Sequence, residues 1–299
     1  MKRNRWYGRD FGLQVRMAFT MLLLTFLYII FAVVLFRFTH AGFLLILIPL
    51  VGLFFQYYFS DKLVLAAAGA HVVEPQQAPE LHAIVQRLAQ QADLPMPRVA
   101  IVDTQMPNAF ATGRGPRHAV VAVTTGLMQQ LSGRELEAVL AHEMTHVRNR
   151  DMTVMTMASS FAAVASWVVQ MGFWFGLGGG DDDDREGGMS FLAFFLISLA
   201  VSLISQMLVM ALSRYREYAA DRGGAILTGA PEHLESALLR ISGTMQYIPN
   251  EDLRQAQPLS ALFFAAPSKQ SFAELFSDHP SVEKRIARLE RLGRQMVRV

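Results

Sequence analysis

Residues 132–152 read SGRELEAVLAHEMTHVRNRDM and connect a charged segment to a long apolar one. Ser132 and Glu135 have the spacing of a capping box, which begins a helix. Apolar residues follow at helical intervals to about Val147, and no charged residue then occurs over Met152–Gly180. The stretch therefore predicts a polar helix that leads into a membrane-spanning one.

Four uncharged stretches are long enough to cross a bilayer, which needs about 20 apolar residues. They are Met17–Phe36, Ala41–Ser60, Met152–Gly180 and Met189–Ser213. Buried helices of a large soluble protein are the alternative, but such helices rarely extend over roughly 20–29 residues without a charge. The sequence predicts an integral membrane protein that is mainly α-helical, with about four transmembrane helices.

The composition excludes several classes of protein. Of the 299 residues, 52% are hydrophobic and only 17% are charged, whereas soluble domains carry about 25% charged residues. The chain has no cysteine, which rules out a disulfide scaffold, cysteine-ligated metals and thiol catalysis. A net charge of +2 gives no reason to expect a nucleic-acid partner.

Basic residues near the ends of the spans predict the orientation, because Lys and Arg are enriched on the cytoplasmic side of a membrane. Both termini and residues 61–151 are expected in the cytoplasm. The acidic loop GGGDDDDREGG, residues 178–188, is expected outside. We interpret it as a solvated turn, because it lacks the ligand spacing of a calcium loop. The basic residues are Lys2, Arg3, Arg5, Arg9, Arg16, Arg148, Arg150, Arg214, Arg216 and Arg222.

The N-terminal basic and apolar run has the general form of a signal peptide. No small-residue cleavage site follows Phe36, and a second span comes at once. We therefore interpret this run as an uncleaved anchor.

Composition divides the chain into four segments. Residues 1–60 form a basic segment and a transmembrane hairpin, and residues 152–213 form a second transmembrane pair. Residues 61–151 and 214–299 are two cytoplasmic lobes. Within the lobes we predict helices at Glu80–Ala92, Glu232–Ser242 and Val282–Arg298, strands at Arg98–Asp103 and His118–Thr125, and a turn-rich connection at residues 107–117.

The C-terminal helix has two unlike faces. One is rich in arginine, and that face either is solvated or contacts anionic lipid headgroups. The other face is apolar and carries Val282, Ile286, Leu289 and Leu292.

The helix that follows Ser132 carries the pattern His142-Glu143-Met144-Thr145-His146. Residues four apart share one face of a helix, so both imidazoles can bind one metal ion. Imidazole suits zinc, and Glu143 projects beside the metal, where it can accept a proton from water. The alternative is a pair of ordinary helix histidines.

A third ligand would distinguish these alternatives. One zinc-protease pattern places a third histidine six residues after the second, but Met152 stands there. The other common set is two histidines and a glutamate, for which Glu217 is the best candidate. Asp221, four residues further on, would accept the outer ring N–H of a ligand histidine. The alternative for Glu217 and Asp221 is that they pair with neighbouring arginines in a charged helix.

Topology favours Glu217. Two membrane crossings separate His146 from Glu217 and return the chain to the side that it left. Each residue lies roughly 6–9 Å from the end of its span if the helices continue. The flanks of the motif are too charged for lipid, which excludes an intramembrane metalloprotease. The site is therefore expected beside the membrane.

The sequence resembles the HtpX-type membrane zinc metalloproteases, which are relatives of the CAAX prenyl-protease. The resemblance covers most of the chain. One motif departs from the pattern: the family commonly has Thr-His-Pro-Pro, and this chain has Asp278-His279-Pro280-Ser281. The segments that carry the resemblance are PNAFATG (107–113), AVVAVTTGLM (119–128), LAHEMTHVRNRDM (140–152), SRYREYAADRGGA (213–225) and DHPSVEKRI (278–286).

The resemblance implies a multi-pass protein of the bacterial inner membrane with a cytoplasmic α+β, gluzincin-like protease domain and a small β-sheet. It also implies one Zn²⁺ per chain, bound by His142, His146 and Glu217, with Glu143 as the catalytic base. The implied role is degradation of damaged or misassembled membrane proteins under stress.

Two further sets of residues are proposed for catalysis and substrate binding. The oxyanion formed in peptide hydrolysis needs a donor besides the metal, for which His279 is the first candidate and Tyr218 a weaker one. A structural histidine before a proline turn is the alternative for His279. Asn108, Ala109, Phe110 and Ala111 are proposed as an exposed edge that pairs with an extended substrate, and a plain turn is the alternative.

The predicted function is a membrane-bound zinc endopeptidase whose partners are the lipid bilayer and membrane-protein or unfolded polypeptide substrates. The sequence does not give the oligomeric state. A membrane scaffold or chaperone with structural zinc is the second hypothesis, but such sites have four protein ligands. Three are found, and His279 as a fourth would reverse the argument. A transporter ranks last, because the spans contain no charged residue.

Overall fold

The computed structural model describes residues 11–38, 42–176, 185–245 and 280–297. A short 3₁₀ turn, Pro116–His118, precedes the last strand. In chain order the elements are α1 (Phe11–Phe38), α2 (Gly42–Tyr58), α3 (Ser60–Ala68), β1 (Ala70–Val72), α4 (Pro79–Ala92), β2 (Arg98–Val102), β3 (Ala109–Thr112), β4 (Val120–Thr124), α5 (Thr125–Gln130), α6 (Gly133–Asn149), α7 (Asp151–Gly176), α8 (Arg185–Thr228), α9 (Pro231–Met245) and α10 (Val282–Val297).

In the described part of the chain, three helices are long and apolar enough to cross a membrane. These stretches are Phe11–Phe36 in α1, Asp151–Gln170 in α7 and Phe195–Thr228 in α8. The apolar stretch of α2, Ile46–Tyr58, is shorter and contains Pro49. The structure thus agrees with a membrane protein built on apolar helices, while α2 is shorter than the span predicted for it. The acidic loop at Asp181–Asp184 lies outside the described residues.

The apolar helices pack against one another and expose their other faces. Phe31 and Leu35 of α1 are buried with Val164 and Val168 of α7 and Val201 of α8. Large apolar side chains on the outer faces stay exposed, as expected where lipid would cover them. They include Phe19, Leu22, Phe26, Ile29, Leu196 and Leu203.

Helices α7 and α8 are connected in different ways to the polar segments of the chain. The motif helix α6 ends at Arg150, which has a left-handed φ of 55° and whose N–H closes on the carbonyls of His146 and Val147. Helix α7 then begins at Asp151. Helix α8 has no such joint and continues past the predicted end of its span, Ser213, to Thr228. It therefore carries Glu217 directly out of the apolar region.

We call the described parts of residues 61–151 and 214–299 the polar lobe. It contains one mixed sheet with strand order β1-β2-β4-β3. The predicted strands are present as β2 and β4, which pair in parallel. The turn-rich connection is partly wrong, because Ala109–Thr112 forms β3 and pairs antiparallel with β4. Ala109 and Ala111 are buried in one apolar cluster and Phe110 in another, so burial on both faces stabilises a strand that the surrounding Asn, Gly and Pro residues conceal in the sequence.

Both polar segments of the chain contribute to one hydrophobic core. Val85 and Leu140 come from the first segment, and Leu238 and Leu289 from the second, and all four are at most 1% exposed. The apolar face predicted for α10 packs into this core through Leu289 and Leu292, with Val282 and Ile286 partly buried beside them. This packing places α10 against the helices that carry the candidate ligands.

Candidate metal centre

Helix α6 is fixed at its N-terminus by the predicted capping box. The Ser132 side chain accepts from the Glu135 N–H, and the Glu135 carboxylate accepts the Ser132 N–H at 2.8 Å. Glu135 also accepts a hydrogen bond from Ser236 of α9 and pairs with Arg240 at 2.9 Å. These contacts connect α6 to α9 and fix the position from which the motif projects.

Three side chains converge where α6 passes α8. The Nε2 atoms of His142 and His146 lie 3.1 Å apart, and Glu217 places its carboxylate oxygens 3.6 Å from His142 Nε2 and 3.4 Å from His146 Nε2. Tetrahedral zinc ligands at 2.0–2.1 Å from the ion lie about 3.3 Å from one another. The separations therefore fit one zinc ion.

Three ligands leave room for a fourth. Among the described residues, the group that can hold a metal contains His142, His146 and Glu217 and no other His, Cys, Asp or Glu. Structural zinc sites have four protein ligands, whereas catalytic sites have three and an open position. Within the described residues, the donor set has the ligand number of a catalytic site.

An aspartate and an arginine support His142 from behind. Asp221 Oδ1 lies 3.0 Å from His142 Nδ1. Arg285 of α10 donates two hydrogen bonds to the same carboxylate, at 2.9 and 2.6 Å. Arg285 is fully buried, so its charge and that of Asp221 offset each other away from water. Asp221 thus lies where it can fix the ring and leave Nε2 facing the other donors.

His146 has a matching arrangement. Asp151 Oδ2 lies 2.6 Å from His146 Nδ1, and Arg216 Nε lies 3.2 Å from the other oxygen of Asp151. Both candidate ligand rings therefore have a carboxylate on the outer nitrogen, and each carboxylate has an arginine partner. Such partners orient ligand imidazoles and raise their basicity.

These carboxylates control protonation of the histidines when no metal is present. Burial lowers the pKa of His146, but hydrogen bonds and charges from Asp151 and Glu217 outweigh it and raise the pKa to about 10. The pKa of His142 is also raised, because Asp221 and Glu217 outweigh the effect of burial. A metal ion must displace these protons, since only neutral imidazole binds it.

Glu143 is buried beside the two histidines and does not join the ligand group. The backbone N–H of Ala111 in β3 donates to Glu143 Oε2 at 2.9 Å. Burial and the neighbouring charge of Glu217 raise the pKa of Glu143, although both histidines and the Ala111 N–H oppose the shift. A carboxylate with a raised pKa can both accept and return a proton near neutrality.

Two glycines allow α8 to approach α6 closely. A Cβ at Gly224 would lie 2.8 Å from the backbone nitrogen of His142, and one at Gly223 would lie 2.4 Å from a side-chain atom of Thr145. At Gly224 only glycine fits without displacing backbone, whereas a larger residue at Gly223 would displace the Thr145 side chain. The pair lies less than two turns beyond Glu217 on the same helix and so determines how near that carboxylate comes to the histidines.

The other proposed site residues lie apart from this group or beyond the described residues. Asn108, Ala109, Phe110 and Ala111 are in or next to β3. All four residues are less than 9% exposed, main chain included, so the structure does not show an exposed edge, and its pairing with a substrate stays a prediction. The Tyr218 ring packs against Arg288, with the guanidinium 4.0 Å from the ring centre. His279 lies outside the described residues.

Sequence reasoning missed Asp151, Arg216 and Arg285. Asp151 follows the left-handed residue Arg150, so helical spacing from His146 does not predict its position. Arg285 belongs to the arginine-rich helix α10, for which a basic face in contact with water or lipid headgroups was predicted, yet this residue is fully buried. Its position three residues after the apolar Val282, on the side that packs inward, was the available signal.

Two histidines lie four residues apart on one helix, and a buried glutamate from a second helix lies beside them. Together with the apolar helices, this arrangement defines a membrane metallopeptidase. The family model "Peptidase family M48" matches residues 75–292. The chain belongs to this family, and it is a membrane metalloprotease.

Curated relatives with high sequence identity over nearly the whole chain support the same assignment. A protease HtpX homolog of Moorella thermoacetica is 55% identical over 296 residues, covering 98% of each chain. A protease HtpX homolog 2 of Methanosarcina acetivorans is 52% identical, covering 99% of this chain and 100% of the relative. The resemblance to HtpX-type proteases is confirmed.

A solved structure supports the fold. The crystal structure of S. mikatae Ste24p matches with a TM-score of 0.56 at 16% identity, covering 94% of this chain and 67% of that one. The similarity confirms a mainly helical fold with a small mixed sheet.

Proposed function

We propose that this protein is a zinc-dependent endopeptidase that cleaves damaged or misfolded membrane proteins at the cytoplasmic face of a bacterial inner membrane. The observation that carries the proposal is the convergence of His142, His146 and Glu217 from two helices, with the carboxylate of Glu143 beside them. Three ligands with an open fourth position suit hydrolysis better than a structural role.

In this proposal His142, His146 and Glu217 hold one zinc ion per chain. When bound, zinc polarises the peptide carbonyl and lowers the pKa of water to about 7. Asp221 and Asp151 keep the ligand rings in the tautomer that presents Nε2. The buried arginines Arg285 and Arg216 keep those aspartates ionised.

Glu143 serves as general base and then as general acid. It takes a proton from the attacking water and passes it to the nitrogen of the leaving amine, so the carboxylate is regenerated in each turnover. Its hydrogen bond from the Ala111 N–H at 2.9 Å holds the side chain in one orientation. His279, proposed from the sequence, would donate to the developing oxyanion.

The substrate is proposed to pair with β3. The Asn108 carbonyl accepts from the Thr124 N–H, so this residue faces β4. Bonding alternates along an antiparallel pair, and Ala109 and Ala111 therefore direct their backbone groups away from β4. The Ala111 N–H meets Glu143, which places this edge beside the proposed catalytic base.

The mechanism is tested with two variants, Glu143→Gln and Glu217→Ala, purified in detergent. Metal analysis and casein cleavage are measured on the same samples. Glu143→Gln should keep its zinc and lose cleavage, whereas Glu217→Ala should lose zinc. Casein cleavage by a clean Glu143→Gln preparation would rule out the mechanism. An unchanged zinc content in Glu217→Ala would show that Glu217 is not the third ligand. A scaffold with purely structural zinc predicts that the wild-type protein itself does not cleave casein.

The orientation is tested by single-cysteine labelling, because the chain contains no cysteine. Asp183→Cys lies in the acidic loop, and Glu74→Cys lies at an exposed position in the polar lobe. In intact cells a membrane-impermeant maleimide should label the first variant, and the second only after lysis. The reverse pattern would show that the active site faces outward.

A further inference from the structure

The C-terminal end of β3 is fastened to the ends of two apolar helices. The Tyr57 hydroxyl of α2 donates to the Arg114 carbonyl at 2.8 Å and lies 3.3 Å from the hydroxyl of Thr153 in the first turn of α7. Arg114 in turn donates to the Tyr58 carbonyl at 3.1 Å, and its guanidinium lies 4.2 Å from the centre of the Tyr58 ring. The loop after Thr112 is therefore held between α2 and α7.

This end of α2 has the character of a membrane–water boundary. Aromatic rings collect at such boundaries, and basic side chains extend along them toward water. Lys62 and Arg114 both lie over aromatic rings here. The exposed aromatic side chains are Phe54, Phe55, Tyr58 and Phe59.

The strand therefore has a fixed direction relative to the bilayer. Its last residues approach the boundary at Arg114, and its first residue, Ala109, is further from it. Ala111, whose N–H meets Glu143, lies three residues before Arg114. At about 3.3 Å per residue, the proposed catalytic base is about 10 Å from the boundary along the strand.

A small cavity lies on the boundary side of His146. Its volume is about 10 Å³, and it is lined by Thr112, Gly113, Gly115, His146 and Thr153, among others. A space of this size holds about one water molecule or one small group. The Thr112 hydroxyl is buried and has no hydrogen-bond partner among the described residues. The cavity thus offers an unused polar group next to a candidate zinc ligand, on the side from which a membrane-borne chain would arrive.

We propose that the site preferentially takes the extended segment that directly follows a membrane span of its substrate, with the N-terminal side of that segment at the membrane. The proposal rests on the endopeptidase function proposed above. Antiparallel pairing, the more stable kind, makes the substrate run from Gly113 toward Asn108, hence away from the bilayer. A segment that precedes a span would have to pair in the opposite direction.

The test uses two fusion substrates with the same apolar span and the same unstructured tail. In one the tail follows the span, and in the other it precedes the span. Each is reconstituted with the wild-type enzyme in liposomes, where random insertion exposes the same share of tails to the site. The free tail peptide is the control for proteolysis itself, and mass spectrometry locates the cuts.

We expect the tail that follows the span to be cut at least tenfold faster, within about five residues of the span. Equal rates for the two fusions, or faster cutting of the tail that precedes the span, would overturn the proposal. Cleavage of the free peptide in the same experiment would still support the proposed endopeptidase function. If the free peptide also stays intact, the proposed function fails and this inference fails with it.

Two conservative variants test the anchoring of β3. Tyr57→Phe removes the hydroxyl that binds the Arg114 carbonyl, and we expect the preference between the two fusions to fall by about fivefold, the effect of one hydrogen bond. Tyr58→Phe is the matched control, because it keeps both the ring under Arg114 and the carbonyl oxygen. A preference unchanged in Tyr57→Phe, or lost equally in both variants, would contradict the role given to the anchor.

Discussion

At the scale of single residues, each candidate zinc ligand on α6 has its own aspartate and arginine. His142 has Asp221 and Arg285, and His146 has Asp151 and Arg216. The repeated arrangement follows from chemistry, because an imidazole binds zinc through one nitrogen only when the other nitrogen carries its proton to an acceptor. The arginines lessen the cost of burying those acceptors.

Replacing Asp151 by Asn should weaken zinc binding by about 10–100-fold. Asn keeps the size of the side chain but removes the charge that faces His146 at 2.6 Å. A competition titration with a chromophoric chelator measures the affinity. Asp103→Asn is the control. The Asp103 carboxylate accepts from the Thr125 hydroxyl at 3.4 Å and does not belong to the ligand group, so this variant should bind zinc as the wild type does. Equal affinities in both variants would rule out the role of Asp151.

Zinc affinity should rise with pH. The pKa of His146 is raised to about 10 in the metal-free site, so the ring is protonated at neutral pH and zinc must displace that proton. Below this pKa the affinity should increase about tenfold per pH unit for each proton displaced. Calorimetry in buffers of different ionisation enthalpy counts the protons released. A release of zero protons between about pH 6 and about pH 8 would show that the histidines are already neutral.

The sequence predicted His142, His146, Glu217 and Asp221 because helical spacing and two membrane crossings constrain them. It could not predict Asp151, because Arg150 breaks the helix and its left-handed φ of 55° redirects the chain. The spacing of Arg285 from Val282 indicated the inward side of α10, but the partners that offset its buried charge come from another element and could not be predicted.

At the scale of elements, the site depends on how closely α8 crosses α6. Glu217 lies on one helix and both histidines on the other, so the separations of 3.4 and 3.6 Å between its carboxylate oxygens and the two Nε2 atoms follow from the crossing. Gly223 and Gly224 make it possible, and the capping box at Ser132 fixes the axial position of α6. Periodicity predicted both helices, but which face of α8 meets α6 depended on the glycines.

Gly224→Ala should reduce both zinc affinity and stability. The new Cβ would lie 2.8 Å from the backbone nitrogen of His142, and backbone cannot move aside as a flexible side chain can. Overpacking of this kind costs about 1–3 kcal/mol. Thermal unfolding and chelator competition measure the two effects.

Gly243→Ala in α9 is the matched control for Gly224→Ala. Its Cβ would meet nothing within 4 Å, so alanine should raise stability by about 0.5–1 kcal/mol through its better helix propensity. If Gly224→Ala behaves like Gly243→Ala, the close crossing of the helices does not position Glu217.

At the scale of the whole molecule, the membrane pair α7–α8 joins the two halves of the site. Each half continues from a different span: α7 begins two residues after α6, and α8 continues through Glu217 without a break. The sequence predicted this arrangement because charge patterns determine on which side each span begins. It did not predict that residues on both sides of the pair share one core, since that packing depends on distant apolar residues.

Contacts between the spans should hold the halves together without a covalent connection. The Ser166 and Ser202 hydroxyls lie 2.8 Å apart, Gln206 donates to the Ser166 hydroxyl at 3.4 Å, and Val164, Val168 and Val201 are buried between the helices. Small polar residues of this kind stabilise helix pairs in membranes. A covalent connection between two packed helices adds stability through the entropy of the unfolded chain.

A protease site inserted between Asp182 and Asp183 tests this directly. After cutting in detergent, both fragments should stay together on size-exclusion chromatography and keep their zinc, while the melting temperature falls because the cut chain gains entropy on unfolding. The uncut insertion variant is the control. Separation of the fragments, with loss of zinc that the uncut variant retains, would show that the loop, and not the packing of α7 on α8, holds Glu217 against the two histidines.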